Sequence, residues 1–154
     1  MTNTLLVIFD ILGKYLAFVT EEMKVQALCK SVALEFNSLV DLEYSLDFVM
    51  TAALQPLSGP DAYISIEWYI DDEMYVKYDN NAGYANEALP DKTYNQAAQA
   101  FSHFTFKQSR GRFLVNDLHY MGNMLTDAAI QTKDTDRFKL CDGNINLPGV
   151  WTSR

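Results

Sequence analysis

Apolar residues recur at three- and four-residue steps in two stretches of the chain, and each stretch predicts an amphipathic helix. The first ends near Asn37–Leu39 and carries the stripe Val25, Leu28, Val32, Phe36 and Leu39. Thr20 is its candidate N-cap, because the acidic residues that follow suit the positive end of a helix dipole. Thr93 is the candidate cap of the second helix, which carries Tyr94, Ala97, Ala98, Phe101 and Phe104. The face of the first helix is simply apolar, which favours burial against a sheet.

Other stretches alternate or cluster apolar residues in the manner of strands. The clearest predicted strand places Ile64, Ile66, Trp68 and Ile70 on one face. Leu5–Leu12 and Tyr15–Val19 flank Gly13 and predict a hairpin, although the first run also fits a helix. Two further short strands are predicted at Met74–Lys77 and Phe113–Leu118. Because strands come first and last with helices between them, the order indicates an α+β fold.

The composition is that of a folded domain. The 154 residues are 49% hydrophobic and 13% aromatic, which is enough for one domain with a real core. Twelve basic and twenty acidic residues give a net charge of −8, which argues against a nucleic-acid partner. Cys29 and Cys141 lie far apart, which suits a reducing compartment. We find no membrane span or signal peptide, and therefore expect a cytoplasmic or nuclear protein without a membrane partner.

Asp117 and Asp127 are the best candidates for chemistry. Asp117 lies near the exit of a predicted buried strand, and Asp127 follows ten residues later, past Gly122. Two carboxylates held across such a loop could bind Mg²⁺, a hard ion that prefers oxygen ligands. One of them could instead accept a proton from an attacking hydroxyl group. Ordinary turn aspartates have the same pattern, and from the residues alone that alternative stays open.

Two other polar residues interrupt apolar surroundings. Glu67 is the only charged residue in its predicted strand, and it should face either a cleft or solvent. His103 lies beside Phe101 and Phe104, which favours a satisfied core histidine over a metal ligand, since structural zinc requires four Cys or His ligands. The chain contains no GxxxxGK[ST], GxGxxG, HExxH or GxSxG motif.

Several short motifs follow one another along the chain, and their order is more informative than any one of them. They are SVALEFN at 31–37, EWYIDDEMYVKYDNNAG at 67–83, QAFSHFTF at 99–106, FLVNDLHY at 113–120, LTDA at 125–128 and DGN at 142–144. Together they resemble the alpha-kinases, a family of atypical Ser/Thr protein kinases. The resemblance covers about residues 25–147 and is specific between residues 67 and 144, where several motifs agree in order.

The resemblance implies a two-lobed fold similar to that of protein kinases, with ATP in the cleft. It implies a single domain over residues 1–154, with a reduced N-lobe at about 1–66 and the hinge and a partial C-lobe at 67–154. Lys14 is the only early candidate for an ATP-binding lysine, and a turn lysine is the alternative. The family's zinc-bearing segment is not found before Arg154, so we expect an incomplete domain.

The resemblance also implies roles for the two aspartates and their neighbour. Asp117 would be the catalytic aspartate that positions or deprotonates the substrate hydroxyl, and Asp127 would bind Mg²⁺. His119 stands where the family has a metal-binding glutamine. This exchange replaces an oxygen ligand with a nitrogen, which suits Mg²⁺ poorly.

Nucleotide and zinc contacts follow from the same resemblance. Glu67 would lie in the linker that meets the adenine, with Tyr69 close by, and Asn144 would lie in a loop near nucleotide and substrate. His103 would be the first zinc ligand. Because its expected partners are missing, zinc is expected in the family but not in this chain.

Two functions therefore remain in view. The first is an alpha-type protein kinase that transfers the γ-phosphoryl group of ATP to Ser or Thr of a protein that the sequence does not identify. The second is a truncated and catalytically inactive kinase-like domain, a pseudokinase that binds nucleotide or protein. The aspartate pair favours the first function, whereas the missing lysine and zinc segment favour the second.

Overall fold

The described part of the chain combines helices with short strands. The computed structural model of the protein describes residues 16–43, 45–58, 63–68, 76–80, 84–86, 92–121, 124–134 and 136–139. The helices are α1 (Leu16–Leu39) and α2 (Lys92–Gln108). The strands are β1 (Asp47–Phe48), β2 (Ala52–Leu54), β3 (Ile64–Ile66), β4 (Val76–Lys77), β5 (Phe113–Asn116), β6 (His119–Met121), β7 (Met124–Thr126) and β8 (Ala129–Thr132). The expected α+β class is confirmed.

Helix α1 begins earlier along the chain than its sequence pattern predicts. It starts at Leu16, so the strand predicted at Tyr15–Val19 is wrong, and Thr20 lies inside the helix instead of capping it. Val19 is fully buried on this helix, and such tertiary burial overrides local strand propensity. The predicted end at Leu39 is confirmed, although Leu39 itself is exposed. Neither described helix is long and apolar enough to cross a membrane.

Polar contacts fix α1 to the strand that follows it. The side chain of Asn37 brackets the backbone of Leu46: Nδ2 donates to the carbonyl at 2.7 Å, and Oδ1 accepts the N–H at 3.0 Å. Lys30 Nζ lies 2.8 Å from Asp47 Oδ1 on β1. These contacts set where β1 enters the sheet.

A four-stranded sheet in the order β1-β7-β6-β4 forms the centre of the described structure. β1 runs parallel to β7, whereas β7, β6 and β4 pair antiparallel. The register places His119 opposite both Lys77 and Thr126. Two smaller antiparallel pairs, β2 with β3 and β5 with β8, complete the pairing among the described strands.

Helix α2 packs on β5 and closes the hydrophobic core. The Phe101 ring is fully buried, with ring centroids 5.6 Å from those of both Phe36 on α1 and Phe48 on β1. Thr105 Oγ1 accepts the N–H of Val115 at 3.0 Å, which joins α2 to β5 inside the core. The strand and helix predictions for β5 and α2 are thereby confirmed, although α2 begins at Lys92 and Thr93 is not its cap.

Two strand predictions need qualification. β3 spans only Ile64–Ile66, and Trp68, predicted to share the face of Ile64 and Ile66, is 58% exposed. The strand predicted at Met74–Lys77 appears as β4 over Val76–Lys77. The predicted hairpin strand at Leu5–Leu12 lies outside the described residues.

Candidate functional site

Two strand exits bring the predicted catalytic residues together. β5 ends at Asn116 because Asp117 adopts a left-handed backbone conformation with φ of +57°, and β6 then begins at His119. Asp127 follows β7 with φ of +55°. Since β6 and β7 pair with His119 opposite Thr126, Asp117 and Asp127 flank the same end of this hairpin.

The imidazole of His119 lies between the two carboxylates. Its Nε2 is 3.3 Å from Asp117 Oδ1, and its Nδ1 is 3.7 Å from Asp127 Oδ2. His119 is buried, whereas 80% of the Asp127 side chain is exposed. Two of the three groups are therefore held inside the protein, and the third faces outward.

Lys77 contacts the carboxylate of Asp117 from the neighbouring strand β4. Its Nζ forms an ion pair with Asp117 Oδ1, the same oxygen that faces His119. The half-buried Asp117 carboxylate is thus balanced by a cation within the sheet. The sequence pattern did not single out Lys77, although it belongs to the KYDNNAG part of a quoted motif.

Asp79 is a second residue that the sequence reasoning missed. It is 5% exposed, its Oδ1 accepts the N–H of Leu118 at 2.7 Å, and its Oδ2 accepts the hydroxyl of Ser102 at 3.2 Å. Burial raises the pKa of Asp79 to about 6, against the opposing effect of these two hydrogen bonds. The charge of Asp117 adds to the rise, and Lys77 offsets it in part.

Glu67 joins the site through two threonine hydroxyls. Its carboxylate accepts hydrogen bonds from Thr51 Oγ1 at 2.6 Å and from Thr126 Oγ1 at 3.4 Å. Thr126 immediately precedes Asp127, so the structure brings Glu67 to the strand that carries the outward-facing aspartate. Glu67 is half-buried, and therefore does not lie on a fully solvated face.

His103 lies apart from this cluster, exposed on α2. The interpretation of His103 as a core histidine is wrong, because the neighbouring residues Phe101, Ser102 and Thr105 occupy the buried face. Within the described ranges, no group of three or more His, Cys, Asp or Glu side chains is arranged to hold a metal ion.

Several other predicted residues lie outside the described part of the chain. They are Lys14, Tyr69, Cys141 and Asn144.

Comparison with known proteins gives consistent matches. A sequence model of the alpha-kinase family matches residues 8–151. The Alpha-protein kinase vwkA of Dictyostelium discoideum is 36% identical over 138 residues, which cover 84% of this chain and 21% of that protein. Eukaryotic elongation factor 2 kinase of Homo sapiens is 35% identical over 85 residues, which cover 55% of this chain and 11% of that protein.

A solved structure has the same architecture. The alpha-kinase domain of myosin heavy chain kinase A in complex with ADP superposes with a TM-score of 0.71 at 25% identity. The match covers 84% of this chain and 50% of that domain. The chain thus spans about half of the solved domain, and 21% and 11% of the two kinases matched by sequence.

Proposed function

The chain belongs to the alpha-kinase family, and from this we propose that it is part of a catalytic domain that transfers the γ-phosphoryl group of ATP to Ser or Thr of a protein. The arrangement of Asp117 carries the proposal. Its carboxylate lies at a strand exit, contacts Lys77, and shares His119 with Asp127. Nucleotide binding is supported by the ADP complex of the related myosin heavy chain kinase A domain.

Asp117 is the proposed catalytic aspartate. An ionised carboxylate can orient a substrate hydroxyl and accept its proton as the bond to phosphorus forms. Lys77 balances the charge of this carboxylate, because its ammonium contacts it in a partly buried position. Positioning and charge neutralisation account for most of phosphoryl-transfer catalysis, so the two side chains would act together.

Asp127 is the proposed ligand for the Mg²⁺ that accompanies ATP. Its exposed carboxylate offers the oxygen donors that Mg²⁺ prefers, and Asp117 adds a second carboxylate nearby. His119 does not fit this ion, because imidazole nitrogen suits softer divalent metals. When bound, Mg²⁺ would neutralise phosphate charge, and phosphate and water oxygens would complete its coordination.

The remaining nucleotide contacts are proposed from the resemblance. Glu67 would meet the adenine, and Thr51 and Thr126 hold its carboxylate in one orientation. Tyr69 and Asn144 would lie near the nucleotide.

A catalytically inactive kinase-like module that binds nucleotide or protein is the second candidate. The observation that favours it is the imidazole between the two carboxylates, at the position where the family has a glutamine. Such a nitrogen weakens the Mg²⁺ site without disturbing the fold.

Calorimetry with Mg²⁺-ATP and a phosphate-transfer assay on a panel of basic peptides separate the two candidates. We expect the unaltered chain to bind Mg²⁺-ATP and Asp127→Ala to bind it more weakly. Asp117→Asn should retain binding and lose transfer. Asp136→Ala is the control, because this exposed aspartate lies outside the proposed site.

The outcomes differ clearly. Absence of heat with the unaltered chain would refute nucleotide binding. Binding without transfer would identify the inactive module.

A further inference from the structure

The backbone at Asp117 is in a conformation that the protein must hold in place. Its φ of +57° lies in the left-handed region, which residues with a Cβ atom seldom occupy, although aspartate adopts it more readily than most. Such conformations persist where surrounding contacts over-determine them. The contacts around Asp117 therefore decide the direction in which its carboxylate points.

The peptide group after Asp117 is fixed from one neighbouring segment. The N–H of Leu118 donates to Asp79 Oδ1 at 2.7 Å, and the carbonyl of Leu118 accepts the N–H of Tyr78 at 3.1 Å. The Leu118 side chain is fully buried. Both backbone polar groups of Leu118 are thus held by Tyr78 and Asp79, two consecutive residues that directly follow β4.

Helix α2 fixes that anchoring segment in turn. The Ser102 hydroxyl donates to Asp79 Oδ2 at 3.2 Å, and Gln99 Nε2 donates to the carbonyl of Tyr78 at 3.3 Å. Asp79 is therefore the link between a long helix buried on the core and the turn that presents Asp117. The charged groups that face Asp79 are Asp117 and Lys77.

We propose that Asp79 is the positioning residue of the phosphoryl-transfer site, because its buried carboxylate anchors the Leu118 peptide and thereby sets the direction of the Asp117 side chain. The positioning role rests on the proposed function, whereas the anchor itself is a property of the fold. An amide oxygen can accept the same Leu118 N–H, and the amide nitrogen can donate to Ser102.

The test compares Asp79→Ala, which removes the anchor, with Asp79→Asn, which keeps an acceptor. Asp136→Ala is the control for loss of an exposed aspartate. We expect Asp79→Ala to lower kcat by about 100-fold, as misplacement of a catalytic group does, with the KM for ATP unchanged. Asp79→Asn should retain most of kcat. If the negative charge of Asp79 were what the reaction needs, this variant would lose activity as well.

A direct readout of the anchor is hydrogen exchange at the Leu118 amide by NMR. Exchange should accelerate in Asp79→Ala and stay slow in Asp79→Asn and Asp136→Ala. If Asp79→Ala does not fold, the pH titration of the Leu118 amide proton decides. Its chemical shift should follow protonation of Asp79 in the unaltered chain and lose that step in Asp79→Asn.

The proposal is overturned if the exchange rate of the Leu118 amide is the same in both Asp79 variants and its chemical shift does not change with pH. This holds whatever the rate of phosphate transfer. If the unaltered chain transfers no phosphate, the proposed function fails. The exchange and titration of the Leu118 amide then test by themselves whether Asp79 anchors this residue. If Leu118 responds but kcat of Asp79→Ala matches that of the unaltered chain, the positioning role is overturned.

Discussion

Asp79→Asn removes a negative charge from the protein interior and leaves the side chain almost unchanged in shape. Asparagine resembles the protonated carboxyl group, because both offer one acceptor oxygen and one donor. The variant therefore mimics the low-pH form of Asp79 at every pH. The difference in unfolding free energy between the two proteins isolates the energy of ionising this carboxyl group.

The sign of the stability difference follows from the direction in which folding changes the pKa of Asp79. Burial raises the pKa of Asp79 from 3.8 to about 6, so the folded protein binds this proton more tightly than the unfolded chain does. The stabilisation is fully present below pH 3.8 and is lost as the pH rises through 6. The full effect is about 3 kcal/mol, and about 2 kcal/mol of it falls between pH values of about 4.5 and 7.5.

Urea unfolding at these two pH values measures the effect. At the lower pH Asp79→Asn should be more stable than the unaltered protein by about 1 kcal/mol, and at the higher pH by about 3 kcal/mol. Asp136→Asn, which changes an exposed aspartate, should show little pH-dependent difference. A difference between Asp79→Asn and the unaltered protein that stays constant with pH would contradict the reasoning, and so would a loss of stability at the higher pH.

Three other substitutions test the site and the core. His119→Gln exchanges an imidazole for an amide oxygen near Asp127. Calorimetry should therefore show tighter ATP binding with Mg²⁺ and a smaller preference for Mn²⁺ over Mg²⁺. If this preference does not change, His119 is not part of the proposed metal site. Phe101→Ala should lose about 3–5 kcal/mol of stability in urea unfolding, because the ring is fully buried; a loss below about 1 kcal/mol would contradict its packing. Thr105→Val leaves the buried N–H of Val115 without its acceptor and should cost about 1–3 kcal/mol by the same method; equal stability would show that another group accepts this N–H.

Local pattern was enough to predict the regular elements in the middle of the chain. The apolar spacing in α2 and the apolar run of β5 correspond to a helix at Lys92–Gln108 and a strand at Phe113–Asn116. The strand exit near Asp117 was also predicted, since a charged residue after an apolar run marks the end of burial, whereas the strand that precedes Asp127 was not. The start of α1 was not, because Val19 is buried by tertiary contacts that its neighbours in sequence do not reveal.

The residues that hold the site were missed for a different reason. Lys77 and Asp79 act through partners in the turn between β5 and β6, and Asp79 bonds to a backbone group 39 residues away. No periodicity within either segment encodes that pairing, because it depends on the register of β4 with β6. The prediction that His103 is a core residue failed for a local reason. Successive helix positions differ by about 100° in direction, so an exposed residue can directly follow a buried one.

The active and inactive forms of the proposed function differ at the exposed end of the site. Lys77 contacts the carboxylate of Asp117, and Asp79 holds the backbone of Leu118, the next residue. Both contacts come from β4 and the two residues that follow it. Asp127, by contrast, is mostly exposed and faces the nitrogen of His119. The carboxylate proposed as catalytic is therefore pre-organised by the fold, whereas the proposed metal position depends on the exposed Asp127 and on the residue at position 119. It follows that an absence of phosphate transfer should be traced first to weak Mg²⁺-nucleotide binding. His119→Gln, which restores an oxygen ligand and leaves the anchor of Asp117 intact, is the substitution that should recover activity.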